Sequence, residues 1–218
     1  QVICIENSVK DVKDFNPKRE TPISSKPSDV TFCDRCRDII GDAQEPKEIA
    51  RRIYDWLCDN IEYDITKNIH DSECCWRIKK GVCQAYCDLF CHIAGDRLAA
   101  EVVCGKCKTP SGEISDTKHA WLYVYTDGYD GIFLDPTWAA GSVQDGRFVR
   151  SNTEDRDRWF DVAPEWMIFT HYPDEEEMNK TCIFVSESTF AQLPALHPEP
   201  HLNAADELSF HVAKIEGN

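Results

Sequence analysis

The chain has 218 residues, 42% hydrophobic and 11% aromatic, which suffices for one domain with its own core. A net charge of −15, from 24 basic and 39 acidic residues, argues against binding to nucleic-acid phosphates, which needs basic patches. No run approaches the ~20 apolar residues of a membrane span, and Asp174-Glu175-Glu176-Glu177 reads as solvated loop.

Residues 1 to 28 are polar and rich in Lys, Asp and Ser, and read as an N-terminal arm. The start, Gln1-Val2-Ile3-Cys4-Ile5, lacks the basic and apolar stretches of a leader. A removed leader would leave the same start, so the compartment stays open between secreted or cell-surface and cytoplasmic. Ser28-Asp29 suits the cap of a helix running to about Ile40. Pro46 suits the first turn of a second helix, whose apolar stripe is Ile49, Ile53, Leu57 and Ile61. Residues 64 to 80 read as irregular. Gly81 leads into a third helix from Cys83 to about Ala94, with Gly95 as its C-cap.

From residue 98 the pattern changes to strands. Ala99 to Cys104 is apolar and partly β-branched, and Ala120 to Thr126 alternates with aromatic residues. The turn residues 127 to 131 join that strand to Gly131–Leu134 as a hairpin. Arg158 to Phe160 suggests a short strand, Pro164 to Phe169 a short helix, and the alternation Leu208 to Ala213 a last strand. Helices first and strands after give an α+β fold, with helices packed on an antiparallel sheet. The expected division is an arm to residue 28, a catalytic domain from 29 to 190, and an extension or the start of a further domain from 191 to 218.

Three segments carry chemistry: Gly81-Val82-Cys83-Gln84-Ala85-Tyr86, Lys118-His119-Ala120-Trp121 and Leu134-Asp135-Pro136-Thr137-Trp138. A thiol attacks well only as the thiolate, which needs a base nearby, and the base needs an orienting acceptor. Cys83 opens a helix, where backbone N–H groups favour negative charge. His119 begins a strand, and Asp135 ends the next one. Antiparallel pairing brings the end of one strand beside the start of the other, and hence Asp135 beside His119. Taken singly, each is an ordinary residue: a core cysteine, a strand histidine, a turn aspartate. Together and in order they point to a nucleophile, a base and an orienter. Six other histidines compete, and only His119 is followed by Ala-Trp at a strand start.

With these residues in view, the chain resembles the transglutaminase-like superfamily over about residues 45 to 140. The family's Gly-x-Cys-x-Gly-Tyr matches with Ala85 in place of the second glycine, a methyl expected to crowd the backbone near the thiol. Its His-Ala-Trp and Asp-x-Thr-Trp are intact at 119–121 and 135–138. Trp159 to Glu165, Phe169-Thr170-His171-Tyr172-Pro173 and Phe190 to Pro194 resemble kyphoscoliosis-peptidase-like proteins within that superfamily.

The resemblance implies a papain-like core and amide chemistry on a protein or peptide substrate, with no cofactor. Hydrolysis by Cys83, His119 and Asp135 through a thioester is the favoured reading. Glutamine acyl transfer, deamidation and a catalytically silent binding module are the alternatives. His171 is expected to be structural. Tyr63, Gln84 and Trp121 are candidates for oxyanion or substrate contact, with Trp56 and Trp76 weighed beside Tyr63 and Gln84.

Twelve cysteines allow a further reading. With Cys83 a nucleophile, an odd number remains, so full pairing within one chain is impossible. Cys87 and Cys91 read as small core residues. Cys33-x-x-Cys36 and Cys104-x-x-Cys107 could together supply four thiolates to zinc, as in peptide N-glycanases of the same superfamily, which would make glycan removal the reaction. The 67 intervening residues are far from compact zinc-site spacing, so free thiols or disulfides are favoured and no metal is expected.

Overall fold

The structure is a computed structural model that describes residues 30–127, 130–180, 183–199 and 201–217. The expected arm and the Ser28-Asp29 cap lie outside the described residues. Four helices come early in the chain: α1 (Val30–Ile40), α2 (Pro46–Asn60), α3 (Ser72–Ile78) and α4 (Cys83–Ala94). Pro46 sits in the first turn of α2, where its missing N–H costs nothing, and Ile49, Ile53 and Leu57 are buried at helical spacing. Helix α4 buries Tyr86, Leu89, Phe90 and Ile93, and α1, α2 and α4 pack against one another.

The main sheet has five antiparallel strands. In chain order they are β3 (Ala100–Cys107), β4 (His119–Asp127), β5 (Asp130–Leu134), β8 (Phe160–Val162) and β9 (His171–Pro173), and in space they run β8-β5-β4-β3-β9. Helix α4 lies across β3 and β4, so its first residue, Cys83, comes close to His119. A parallel two-residue ladder joins β1 (Glu62–Tyr63) to β2 (Lys80–Gly81) and pairs Tyr63 with Gly81. A hairpin of β6 (Gly141–Gln144) and β7 (Arg147–Arg150) turns through Asp145 and Gly146, both at positive φ.

Two glycines make close approaches possible. A Cβ on Gly81 would lie 2.8 Å from both Ala85 Cβ and Cys75 Sγ. The Ala85 methyl is buried in the core and lies against Gly81, two residues before Cys83. A Cβ on Gly105 would lie 2.1 Å from the Tyr172 carbonyl oxygen and 2.9 Å from the Trp121 ring, so glycine lets β9 close onto β3.

Four short helices, α5 (Pro136–Ala140), α6 (Thr153–Asp157), α7 (Pro164–Met167) and α8 (Glu187–Gln192), and the longer α9 (Ala204–Glu216) follow among the described residues. Three expectations are corrected. The stretch read as irregular contains α3, capped by Asp71 accepting from the Cys74 N–H. The short strand expected at 158 to 160 is shifted to Phe160–Val162. The strand expected at 208 to 213 is part of α9, where Ala204, Leu208 and Val212 are buried four residues apart and Asn203 caps the N-terminus. Helix α9 packs on α7 and α8 within the same core.

Candidate active site

Cys83 is the first residue of α4, and its half-buried thiol is hydrogen-bonded to the His119 side chain. The Ala120 N–H also donates to the sulfur. Pairing of β4 with β5 begins only at Leu122, so this N–H lies beyond the β5 ladder. His119 Nε2 is 2.7 Å from Asp135 Oδ2, which leaves Nδ1 as the nitrogen toward Cys83. Asp135 caps α5, its Oδ1 accepting from the N–H groups of Thr137 at 2.9 Å and Trp138 at 3.0 Å. Pro136 in the next position has no N–H to satisfy.

These contacts set the protonation states. Burial pushes the Asp135 carboxyl up, but the charge and hydrogen bond of His119 outweigh it, with a further bond from His171, and hold it well below the usual carboxylate range. Burial disfavours a charged His119, yet Asp135 and Cys83 raise its pKa well above that of free histidine. Burial raises the Cys83 thiol, and the hydrogen bond and charge of His119, with the Ala120 N–H, bring it below the ordinary value. Burial pushes Cys58, Cys75 and Cys91 up to about 12, and raises Cys87, Cys104 and Cys107 as well. The favoured pair is thus a Cys83 thiolate beside a His119 imidazolium, the imidazolium held by an ionised Asp135.

Cys83 and His119 line a cleft of about 380 Å³. Its walls include Tyr63, Trp138, Trp159 and the β6 residues Ser142 and Val143. Tyr63 reaches the cleft because the β1–β2 ladder places it beside Gly81, two residues before Cys83. Asp64 holds the next loop, accepting from the N–H groups of Thr66, Asn68 and Ile69 and from the Thr66 hydroxyl.

The other candidates fall elsewhere. Gln84 turns along α4 and donates to Asp88 Oδ1 at 2.9 Å. Trp121 is buried behind His119, their rings stacked with centroids 6.2 Å apart. Neither borders the cleft. Trp56 and Trp76 stack at 4.9 Å under the Lys79 ammonium and also lie off the cleft.

The four-thiolate set does not assemble from its described members. Cys36 is buried in the core, and Cys104 and Cys107, an odd number of residues apart in β3, face opposite sides of the sheet. The Cys33 side chain lies outside the described residues. Among the described residues, the donors gathered closely enough to hold an ion are His119, Asp135 and His171. Hydrogen bonds already account for that cluster.

His171 is the contact that sequence reasoning missed. Its Nε2 lies 3.1 Å from Asp135 Oδ2, the oxygen that also holds His119. Its Nδ1 lies 2.8 Å from the Thr170 hydroxyl. The β6–β7 hairpin on the cleft rim was also missed, although Asp145-Gly146 is a standard two-residue turn signal.

Residues 33–136 match the model of the transglutaminase-like superfamily. The kyphoscoliosis peptidase of Mus musculus is 28% identical over 153 residues, and that of Homo sapiens 28% identical over 155. Each match takes in 64% of this chain and 22% of the relative, so the chain spans about a fifth of their length. Among solved structures, a candidate cysteine protease from Cytophaga hutchinsonii aligns with a TM-score of 0.41 at 17% identity, over 49% of this chain and 36% of that one. A TGase aligns with a TM-score of 0.38 at 17% identity, over 56% and 33%. Residues 33–136, just under half of the chain, are thus similar to the transglutaminase-like superfamily.

Proposed function

We propose that this domain is a cysteine-dependent amide hydrolase acting on a protein or peptide. One observation carries the reading: the unbroken chain of hydrogen bonds from Cys83 through His119 to Asp135 at a cleft. The Cys83 thiolate attacks a carboxamide carbon. The N–H groups of the first turn of α4 and the Tyr63 hydroxyl stabilise the oxyanion. His119 gives its proton to the leaving amine, and a thioester to Cys83 remains. Water, deprotonated by His119, then releases the acid and restores the thiol. Asp135 orients the imidazole and stabilises its charged form.

Hydrolysis is favoured over transfer to an amine because the cleft opens to water. Lys118 on its rim has 69% of its side chain exposed, held by Asp174 at 2.7 Å. Acyl transfer would require exclusion of water from the thioester.

The test is the pH-dependent rate of Cys83 alkylation by iodoacetamide, read by peptide mass spectrometry in the wild type and His119→Ala. Selective reaction at neutral pH, slowed by the substitution, is expected. A rate equal to that of the other cysteines and indifferent to His119 removes the proposal. Release of new termini or ammonia from a protein substrate separates hydrolysis from transfer, and amine incorporation alone would favour the transferase.

A further inference from the structure

We propose that His171 is a positioning residue for the Cys83 centre, its Nε2–H clamping the Asp135 oxygen that holds His119. This role rests on the cysteine-hydrolase reading above. It goes beyond that reading by adding a fourth residue, 36 positions after Asp135, on a different strand.

The accounting of hydrogen bonds is the first argument. Asp135 is fully buried, and an ionised carboxylate there needs donors at both oxygens. Oδ1 has two backbone N–H groups, whereas Oδ2 would have His119 alone. His171 supplies the missing donor, so the carboxylate is held from two directions and cannot swing away from His119.

The tautomer is the second argument. His171 is buried to 1% exposure, with its ring against Trp121 at 4.9 Å, Trp138 at 4.5 Å and Trp159 at 5.5 Å. Burial brings its pKa down to about 4 despite Asp135, so it is neutral and carries one N–H. The carboxylate takes that N–H at Nε2, which leaves Nδ1 to accept from the Thr170 hydroxyl at 2.8 Å, a closer acceptor than the Met167 carbonyl at 3.4 Å. A core position that needed only to be filled would accept phenylalanine without the cost of burying an imidazole.

The surroundings leave the pair electrically simple. The other titratable groups facing Asp135 or His171 are His119, Cys83, Cys58, Cys87, Cys107, Tyr54 and His197. Burial keeps Cys58, Cys87, Cys107, Tyr54 and His197 in their neutral forms near pH 7. A change in the pH profile of Cys83 on altering His171 therefore reports the path through Asp135 and His119.

The experiment measures the rate of Cys83 alkylation by iodoacetamide from pH 4 to 10 in the wild type, His171→Leu and His171→Gln. Glutamine can place an N–H where Nε2 stands, and leucine cannot. In His171→Leu, loss of the donor raises the Asp135 pKa and loosens its hold on His119. The acid limb should then move up by about one pH unit, so that at a fixed pH on that limb the rate falls about tenfold. His171→Gln should return the rate to within about threefold of wild type, a rescue that volume alone would not give. A His171→Leu profile coinciding with wild type overturns the positioning role while leaving the cysteine reading intact. An unactivated Cys83 in the wild type overturns both. If His171→Leu does not fold, long-range ¹H–¹⁵N NMR of the wild type decides. A proton on Nε2 and none on Nδ1 from pH 5 to 8 supports the role, and the opposite tautomer or an ordinary histidine titration overturns it.

Discussion

His119 Nε2 stands 2.7 Å from Asp135 Oδ2, and the other carboxylate oxygen is spent on the first turn of α5. The same side chain thus caps a helix and orients an imidazole, so the orientation of His119 is tied to backbone geometry. Replacement by asparagine separates the two tasks. The carboxamide oxygen can still accept from Thr137 and Trp138, but its NH2 would then face the Nε2–H groups of His119 and His171.

The expected outcome for Asp135→Asn is therefore a folded protein with a misoriented base. His119 would turn its lone pair to the carboxamide and its proton to Cys83, and could no longer take a proton from the thiol. Any hydrolysis should fall by roughly 10³–10⁴-fold, by analogy with triads in which the acid is neutralised, and alkylation of Cys83 should slow toward the rate of an ordinary thiol. Near-wild-type rates in a variant with an unchanged circular dichroism spectrum would show that Asp135 serves only the helix.

The buried histidines make stability depend on pH in opposite senses. His171 has a folded pKa of about 4 against an ordinary histidine value near 6.5 in the unfolded chain. Between those values the unfolded state binds a proton that the folded state refuses, so stability falls as the pH drops through this window. The loss is on the order of 3 kcal/mol by pH 4. Asp135, whose folded pKa is depressed, adds a further loss as the pH falls below about 4. His119, whose folded pKa is raised, contributes stability that is complete below about 6.5 and is lost as the pH rises through its folded value. Urea midpoints should therefore decline from pH 6.5 to 4.5, and His171→Leu should flatten that decline. An unchanged slope in the variant would mean that other groups carry the acid sensitivity.

The parts of the fold that were legible in the sequence are those written in one local period. The Ile49–Ile53–Leu57 stripe and Pro46 mark α2, and the run from Cys83 to Gly95 marks α4. The order Cys, His, Asp was legible because each residue sits at a chain feature of its own: a helix start, a strand start and a strand end. Residues 208 to 213 were misread because a six-residue window cannot separate alternation from helical spacing. Extending it to Ala204 and the Asn203 cap reveals the four-residue period. Helix α3 was missed because it spans seven residues and closes on Lys79 in the left-handed region, with no glycine to mark the end.

His171 was not legible as a partner of Asp135 for a different reason. Its place depends on β9 pairing with β3, Cys107 opposite His171 and Gly105 opposite Pro173, a register that no local pattern announces. The same holds for Gln84 and Trp121. Sequence proximity to Cys83 and His119 made them candidates, yet helix geometry turns the first toward Asp88 and strand alternation puts the second behind the imidazole.

Tyr63 is the test of how the oxyanion is held. It is half-buried on the cleft wall, fixed by pairing with Gly81 on one side and by the Asp64 loop on the other. Burial, with the charge of Cys83, raises its phenol pKa, so it remains a donor through neutral pH. Tyr63→Phe removes one hydroxyl and leaves the ring and the ladder in place. If that hydroxyl donates to the oxyanion, kcat on a peptide amide should fall by roughly 10²–10³-fold with KM nearly unchanged, because the bond strengthens only as the carbonyl oxygen gains charge. Alkylation of Cys83 by iodoacetamide passes through no oxyanion, so its rate should be almost unaffected. Equal losses in both reactions would mean that Tyr63 shapes the thiolate, and a rise in KM alone would mean that it only binds substrate.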